Sequence, residues 1–144
     1  MLSINEIMTT DLFTLQVQDT LADAALLMRE HRIRHVPVVD DSGELLGLIT
    51  QRDLLAANSA GTTTGDIMRR EIHTVSEADD MRSAALILQK YKIGSLPVTS
   101  NGKLVGIITD SDYVGLAINL LEQMEEVEPE DFDDYDSADA LGGV

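Results

Sequence analysis

Gly47-Leu48-Ile49-Thr50-Gln51-Arg52-Asp53 is a stretch this chain states twice, returning 59 positions later as Gly106-Ile107-Ile108-Thr109-Asp110-Ser111-Asp112. Each copy opens with glycine, runs through two apolar residues to threonine, and sets an aspartate three positions beyond it. The apolar run has the character of the end of a buried strand, and the residues after threonine that of a helix's first turn. A strand emptying into a helix N-terminus leaves backbone N–H groups converging on one spot, which suits an anion such as phosphate. A carboxylate at the rim repels phosphate, so its natural partner there is a pair of neutral donors such as ribose hydroxyls. The same Thr-x-x-Asp spacing is also a capping box, in which both side chains satisfy orphan helix N–H groups and bind nothing. Spacing alone leaves both readings open.

Working outward, the repetition covers nearly everything before residue 122. Glu6-Ile7-Met8 is answered by Asp66-Ile67-Met68, and Phe13-Thr14-Leu15 by His73-Thr74-Val75. Leu21, Ala24, Ala25 and Met28 are answered by Met81, Ala84, Ala85 and Leu88, and Ile33, Val36, Pro37 and Val38 by Ile93, Leu96, Pro97 and Val98. Halves of roughly sixty residues are too small to be comfortable alone, so each is expected to bury its apolar face against the other. Leu21, Ala24, Ala25 and Met28 fall at i, i+3, i+4 and i+7, predicting a helix over 19–31 capped by Asp19 or Thr20. Ser76 with Asp79 predicts a capping box for its counterpart over 77–91. Val36-Pro37-Val38-Val39 and the apolar run from Leu45 flank an Asp-Ser-Gly turn and predict a hairpin. Each half then reads strand–helix–strand–strand–helix with a helical lead-in near 4–8 and 64–68, and the last helix runs over 110–124. The division expected is 1–62, 63–125 and a tail from 126, with Gly61-Thr62-Thr63-Thr64-Gly65 as the joint.

Charge separates the tail from the rest. Residues 1–121 hold 16 acidic and all 10 basic residues, whereas 122–144 hold 10 acidic residues and no basic one, for a net charge of −16. Such a run repels itself and carries few apolar residues, so 126–144 is expected to be disordered, with Phe132 and Tyr135 available as anchors should it dock. The balance argues against a nucleic-acid backbone or an anionic membrane surface as partner. There is no cysteine, and His31, His35 and His73 lack ligand spacing, which argues against disulfides and a metal centre. No apolar run reaches membrane-spanning length and no basic-then-apolar leader is present, so a cytoplasmic location is expected. No nucleophile–base pair or P-loop stands in the chain, and a non-enzyme is expected.

These residues resemble a tandem pair of CBS domains, the regulatory domain of cystathionine β-synthase, over roughly residues 1–124. The resemblance is carried by Ile7-Met8, Thr14, Ile33-Arg34-His35-Val36-Pro37-Val38-Val39-Asp40, Gly47-Leu48-Ile49-Thr50 and Asp53, with their second-half counterparts. It implies an α/β fold of two pseudo-symmetric βαββα units packed sheet to sheet, with clefts between them that take AMP, ADP, ATP or S-adenosylmethionine. It implies further that Asp53 and Asp112 hold ribose hydroxyls, with Thr50 and Thr109 on ribose or phosphate. By the same resemblance the base lies against residues 9–12 and 69–72, hence Thr9, Leu12, Arg70 and Ile72. Arg34, His35 and Val36, then Gly94, Ser95 and Leu96, would line the phosphate side. Arg34, His35 and Arg52 belong to the first half, so the two clefts are expected to differ. The function implied is a stand-alone regulatory module with no required cofactor, forming a homodimer and signalling to a protein partner. A non-catalytic adaptor whose motifs are only caps, or a Mg²⁺-sensing module, are the alternatives.

Overall fold

The computed structural model describes residues 2–57 and 62–125. The acidic tail with Phe132 and Tyr135, and Gly61 of the joint, lie outside them. The chain divides into two compact units, one ending at Asp110 and the other beginning at Ser111.

In the first unit a 3-10 turn at Ile4–Glu6 leads to α1 (Leu21–His31), the hairpin β1 (His35–Val39) and β2 (Leu45–Thr50), and α2 (Gln51–Ala56). The order then recurs as α3 (Thr64–Ile67), β3 (Val75–Ser76), α4 (Met81–Tyr91), β4 (Ser95–Ser100) and β5 (Lys103–Thr109). Helix α5 (Asp110–Glu125) follows and runs into the second unit. β1 and β2 pair antiparallel, and in the other sheet β3 runs parallel to β4, which pairs antiparallel with β5. The βαββα reading therefore holds twice. In the first half the opening strand is a single parallel bridge, Leu15 to Val38.

The caps explain the helix starts. Thr20 accepts from the Asp23 N–H at 3.0 Å while Asp23 accepts from the Thr20 N–H at 3.1 Å, so α1 begins at Leu21. The counterpart departs from expectation: α4 is capped by Asp80, which accepts from the Ser83 N–H at 2.8 Å. Ser76 remains in β3, and its N–H donates to the Asp79 carboxylate at 2.9 Å while Asp79 N–H returns to the Ser76 carbonyl at 3.0 Å. That Ser-x-x-Asp pair closes a turn one step upstream of the helix. Helices α1 and α4 each end on a left-handed cation, Arg32 (φ 55°) and Lys92 (φ 53°).

The first half's core joins Leu15, Ala24, Met28, Val36, Val38 and Ile49 to Met68, which arrives from the second lead-in. The lead-ins are in fact exchanged. Thr9 and Ile107 trade N–H···O bonds of 2.9 and 3.0 Å, so the first lead-in lies along β5. Leu48 and Arg69 trade bonds of 2.9 and 2.8 Å, so the second lies along β2. Ile4 N–H donates to Asp79 O at 2.8 Å and Thr64 N–H to Asp19 O at 2.7 Å, the same exchange one turn earlier. This close passage explains the glycine that opens each repeated stretch. A Cβ at Gly47 would stand 2.7 Å from the Arg69 carbonyl oxygen, and one at Gly106 would stand 2.6 Å from Met8 Sδ.

Ala24 and Ala84 are fully buried, so those small positions serve packing inside the chain. Helix α5 has no buried residue, and its Val114, Ile118 and Leu121, at i, i+4 and i+7, are all exposed. No helix among the described residues is long and apolar enough to cross a membrane.

Candidate functional site

The strand-to-helix junction at Thr50 forms a complete capping box. Thr50 Oγ1 accepts from the Asp53 N–H at 3.1 Å and the Asp53 carboxylate accepts from the Thr50 N–H at 3.1 Å. Asp53 does more than cap. Arg69 Nε lies 3.2 Å from both carboxylate oxygens and Arg69 Nη2 lies 3.0 Å from Oδ1. The second lead-in's passage along β2 places that arginine there. Burial pushes the Asp53 carboxyl up, but Arg69 and Thr50 together outweigh it and hold the group below its ordinary 3.8. The Asp53 side chain is 14% exposed and that of Arg69 is 55% exposed.

Next to this pair a cleft of about 360 Å³ opens, lined from both halves of the repeat. From the first half come Arg34, His35, Leu48, Thr50, Gln51 and Arg52; from the second, Arg69, Ile72, His73, Lys92, Ile93, Gly94, Ser95 and Asp110. Arg34, Arg52, Arg69 and Lys92 face one carboxylate, Asp110, although the sequence holds 26 acidic residues against 10 basic ones. The cleft therefore concentrates positive charge in an acidic protein, which favours an anionic occupant.

His35 and Ser95 are equivalent positions in the repeat and both line this cleft. His35 Nδ1 and Ser95 Oγ are buried and have no hydrogen-bond partner within the protein. Unsatisfied buried polar atoms are uncommon and each asks for a physical account. His35 is held below its ordinary 6.5, first by burial and then by Arg34, with Asp110 and Asp53 opposing without reversing it. Its ring lies over Gly94, where a Cβ would come within 2.9 Å of His35 Nε2. That contact accounts for the asymmetry between the halves: a bulky imidazole in one requires a bare backbone in the other.

Of the residues singled out from sequence, Thr50, Arg34, His35, Arg52, Gly94, Ser95 and Ile72 meet at this cleft, and Arg69 and Lys92 of the second half add to its cations. Asp53 is paired with Arg69 and is not among the lining residues. Val36 and Leu96 are fully buried in the strands. Thr9 is spent on its bridge to Ile107, Leu12 lies outside the lining, and Arg70 donates to the Gly65 carbonyl at 3.2 Å. Thr109 ends β5, and Asp112 lies on α5 in the unit that begins at Ser111. Arg69, from the 69–72 stretch expected against the base, lines the cleft as well, and Lys92, Gln51, His73 and Asp110 join the site unannounced. His73 was legible as Phe13's repeat partner, and both pairs stack: Phe13 on His31 at 3.6 Å, His73 on Tyr91 at 4.0 Å.

Two βαββα repeats that exchange lead-ins and frame a cationic cleft define an internally duplicated α/β ligand-cleft module. The chain belongs to the CBS domain family, whose profile matches residues 4–60 and 65–118. It is similar to the Vibrio cholerae protein named AcuB for acetoin utilization, at 45% identity and a TM-score of 0.80, covering 90% of this chain and 99% of that one. It is similar to CBSX2 of Arabidopsis thaliana solved in complex with AMP, at 28% identity and TM-score 0.78, covering 84% of this chain and 99% of the other. The CBS domain pair of protein MJ0100, solved with 5′-methylthioadenosine and S-adenosylmethionine, gives 29% identity, TM-score 0.75 and coverage of 82% and 97%. Inosine-5′-monophosphate dehydrogenase of Korarchaeum cryptofilum is 36% identical over 103 residues, which span 71% of this chain but only 21% of that enzyme.

Proposed function

We propose that this protein is a non-catalytic regulatory module that binds an adenosine-containing ligand (AMP, ADP, ATP or S-adenosylmethionine) in the cleft between its halves and signals occupancy to a protein partner. The observation that carries the reading is the pair of equivalent, buried, unsatisfied polar atoms, His35 Nδ1 and Ser95 Oγ, lining a cleft rich in arginine and lysine. An occupant bearing hydrogen-bonding and anionic groups supplies what both atoms lack. CBSX2 with AMP, and the MJ0100 pair with S-adenosylmethionine, support adenosine as the common part of that occupant. The signal is a shift between two conformations or two partner affinities, which requires unequal ligand affinity for the two states.

Isothermal titration with AMP, ADP, ATP and S-adenosylmethionine tests the reading. A ligand at about a hundred times its Kd should raise stability by roughly 2.7 kcal/mol. For a chain of this size that is a melting shift of roughly several degrees. One observation favours a second reading, an adaptor with no ligand: Asp53 is fully engaged by its capping box and by Arg69. Absence of heat and of melting shift with all four ligands would establish the adaptor instead.

A further inference from the structure

Asp53 is assigned to ribose by resemblance, yet both of its carboxylate oxygens already accept hydrogen bonds, and Arg69, which lines the cleft, supplies three of them. We propose that Arg69 is a specificity-determining latch, which withholds Asp53 from a ligand's hydroxyls until the ligand brings a phosphate to draw the guanidinium away. The inference rests on the adenosine-cleft reading and adds a rule of selection to it: phosphorylated nucleosides are admitted and the bare nucleoside is disfavoured.

The geometry permits the exchange at low cost. The Arg69 backbone is fixed by its two hydrogen bonds to Leu48, so only the side chain has to move. That side chain is 55% exposed and already lines the cleft. The guanidinium end of the pair is more than half exposed, and a guanidinium–phosphate pair is equally charge-assisted and bidentate, so a phosphate can replace the bond to Asp53 that it draws away. Arg34, Arg52 and Lys92 line the same cleft, so a phosphate drawn there meets further cations beside Arg69. Adenosine has nothing to offer the guanidinium and must compete with it for Asp53. A phosphorylated ligand replaces the partner that it takes.

Titration of adenosine and of ADP into the wild type, Arg69→Gln and the double variant Arg69→Gln/Asp53→Asn separates this rule from simpler ones. Arg69→Gln is expected to tighten adenosine by about two- to fivefold, since the competitor is gone. The same change is expected to weaken ADP by at least about tenfold, since a charge-assisted contact is lost. The gain for adenosine should vanish in the double variant, because it runs through Asp53. Shifts of the same sign for both ligands, no shift for either, or an adenosine gain that persists in the double variant each overturn the latch. If the wild type binds neither ligand, the adenosine reading falls and the latch with it. Arg82→Gln, at an exposed arginine of α4 outside the cleft lining, is the control and should change neither affinity.

Discussion

His35 and Gly94 show how a single side chain shapes the asymmetry of a duplicated chain. The imidazole sits where its repeat partner has only Ser95, and the backbone opposite is bare because any Cβ would meet the ring at 2.9 Å. Burial and then Arg34 hold the His35 imidazole below its ordinary 6.5. The sign follows: above that value neither folded nor unfolded chain holds the proton, and below it the unfolded chain takes it up first. Stability is therefore expected to fall as pH drops below 6.5, and His35→Asn should remove that part of the slope in thermal melts between neutral and mildly acid pH. Asp53→Asn should cost the unliganded protein about 1 kcal/mol or less, because the capping bond can be kept and the Arg69 pair is half-exposed. Ligand-induced stabilisation should shrink in the same variant. Equal ligand-induced melting shifts in wild type and variant would leave Asp53 as a cap alone.

At the scale of elements, the glycines opening the repeated stretch are set by the neighbouring strand and not by a ligand. Gly47→Ala puts a methyl 2.7 Å from the Arg69 backbone oxygen, which cannot step aside without breaking the bridge to Leu48. Gly106→Ala meets first the flexible end of Met8. Overpacking of this kind costs about 1–3 kcal/mol, and urea denaturation should place Gly47→Ala at the upper end and Gly106→Ala at the lower. The hairpins, both long helices and the lead-ins were legible because each rests on a local period or turn. Exchange of the lead-ins was not, since nothing within Ile7-Met8-Thr9 names a partner as distant as Ile107. Arg69 was legible only as part of the 69–72 stretch, and its bond to Asp53 was not, since that arises from the pairing of its backbone with Leu48. The cap of α4 was misplaced because Ser76-x-x-Asp79 satisfies the same pattern in a turn. Thr50 could be read from the repeat itself, whereas His35 and Ser95 were legible only through the resemblance to the CBS domain, by their place ahead of each proline.

The molecule as a whole leaves Val114, Ile118 and Leu121 exposed along one stripe of α5. A homodimer through that helix is our expectation: light scattering should return twice the 15.7 kDa chain mass, and Ile118→Glu should return one chain. A monomer in the wild type counts against it. The exchanged lead-ins bear on how the chain is made. The bridge from Thr9 reaches Ile107 across 98 positions, whereas Arg69 finds Leu48 only 21 positions back. On a ribosome adding about 5–20 residues per second, the second lead-in emerges to find its strand already present. The first must wait through the synthesis of nearly the whole duplicated region before its strand exists. Ile4, fully enclosed in the finished protein, meets Asp79 earlier, but the bridge from Thr9 has to wait for β5. The first lead-in is thus expected to gain its protection from protease only after β5 has been made, whereas the second gains its own soon after it emerges.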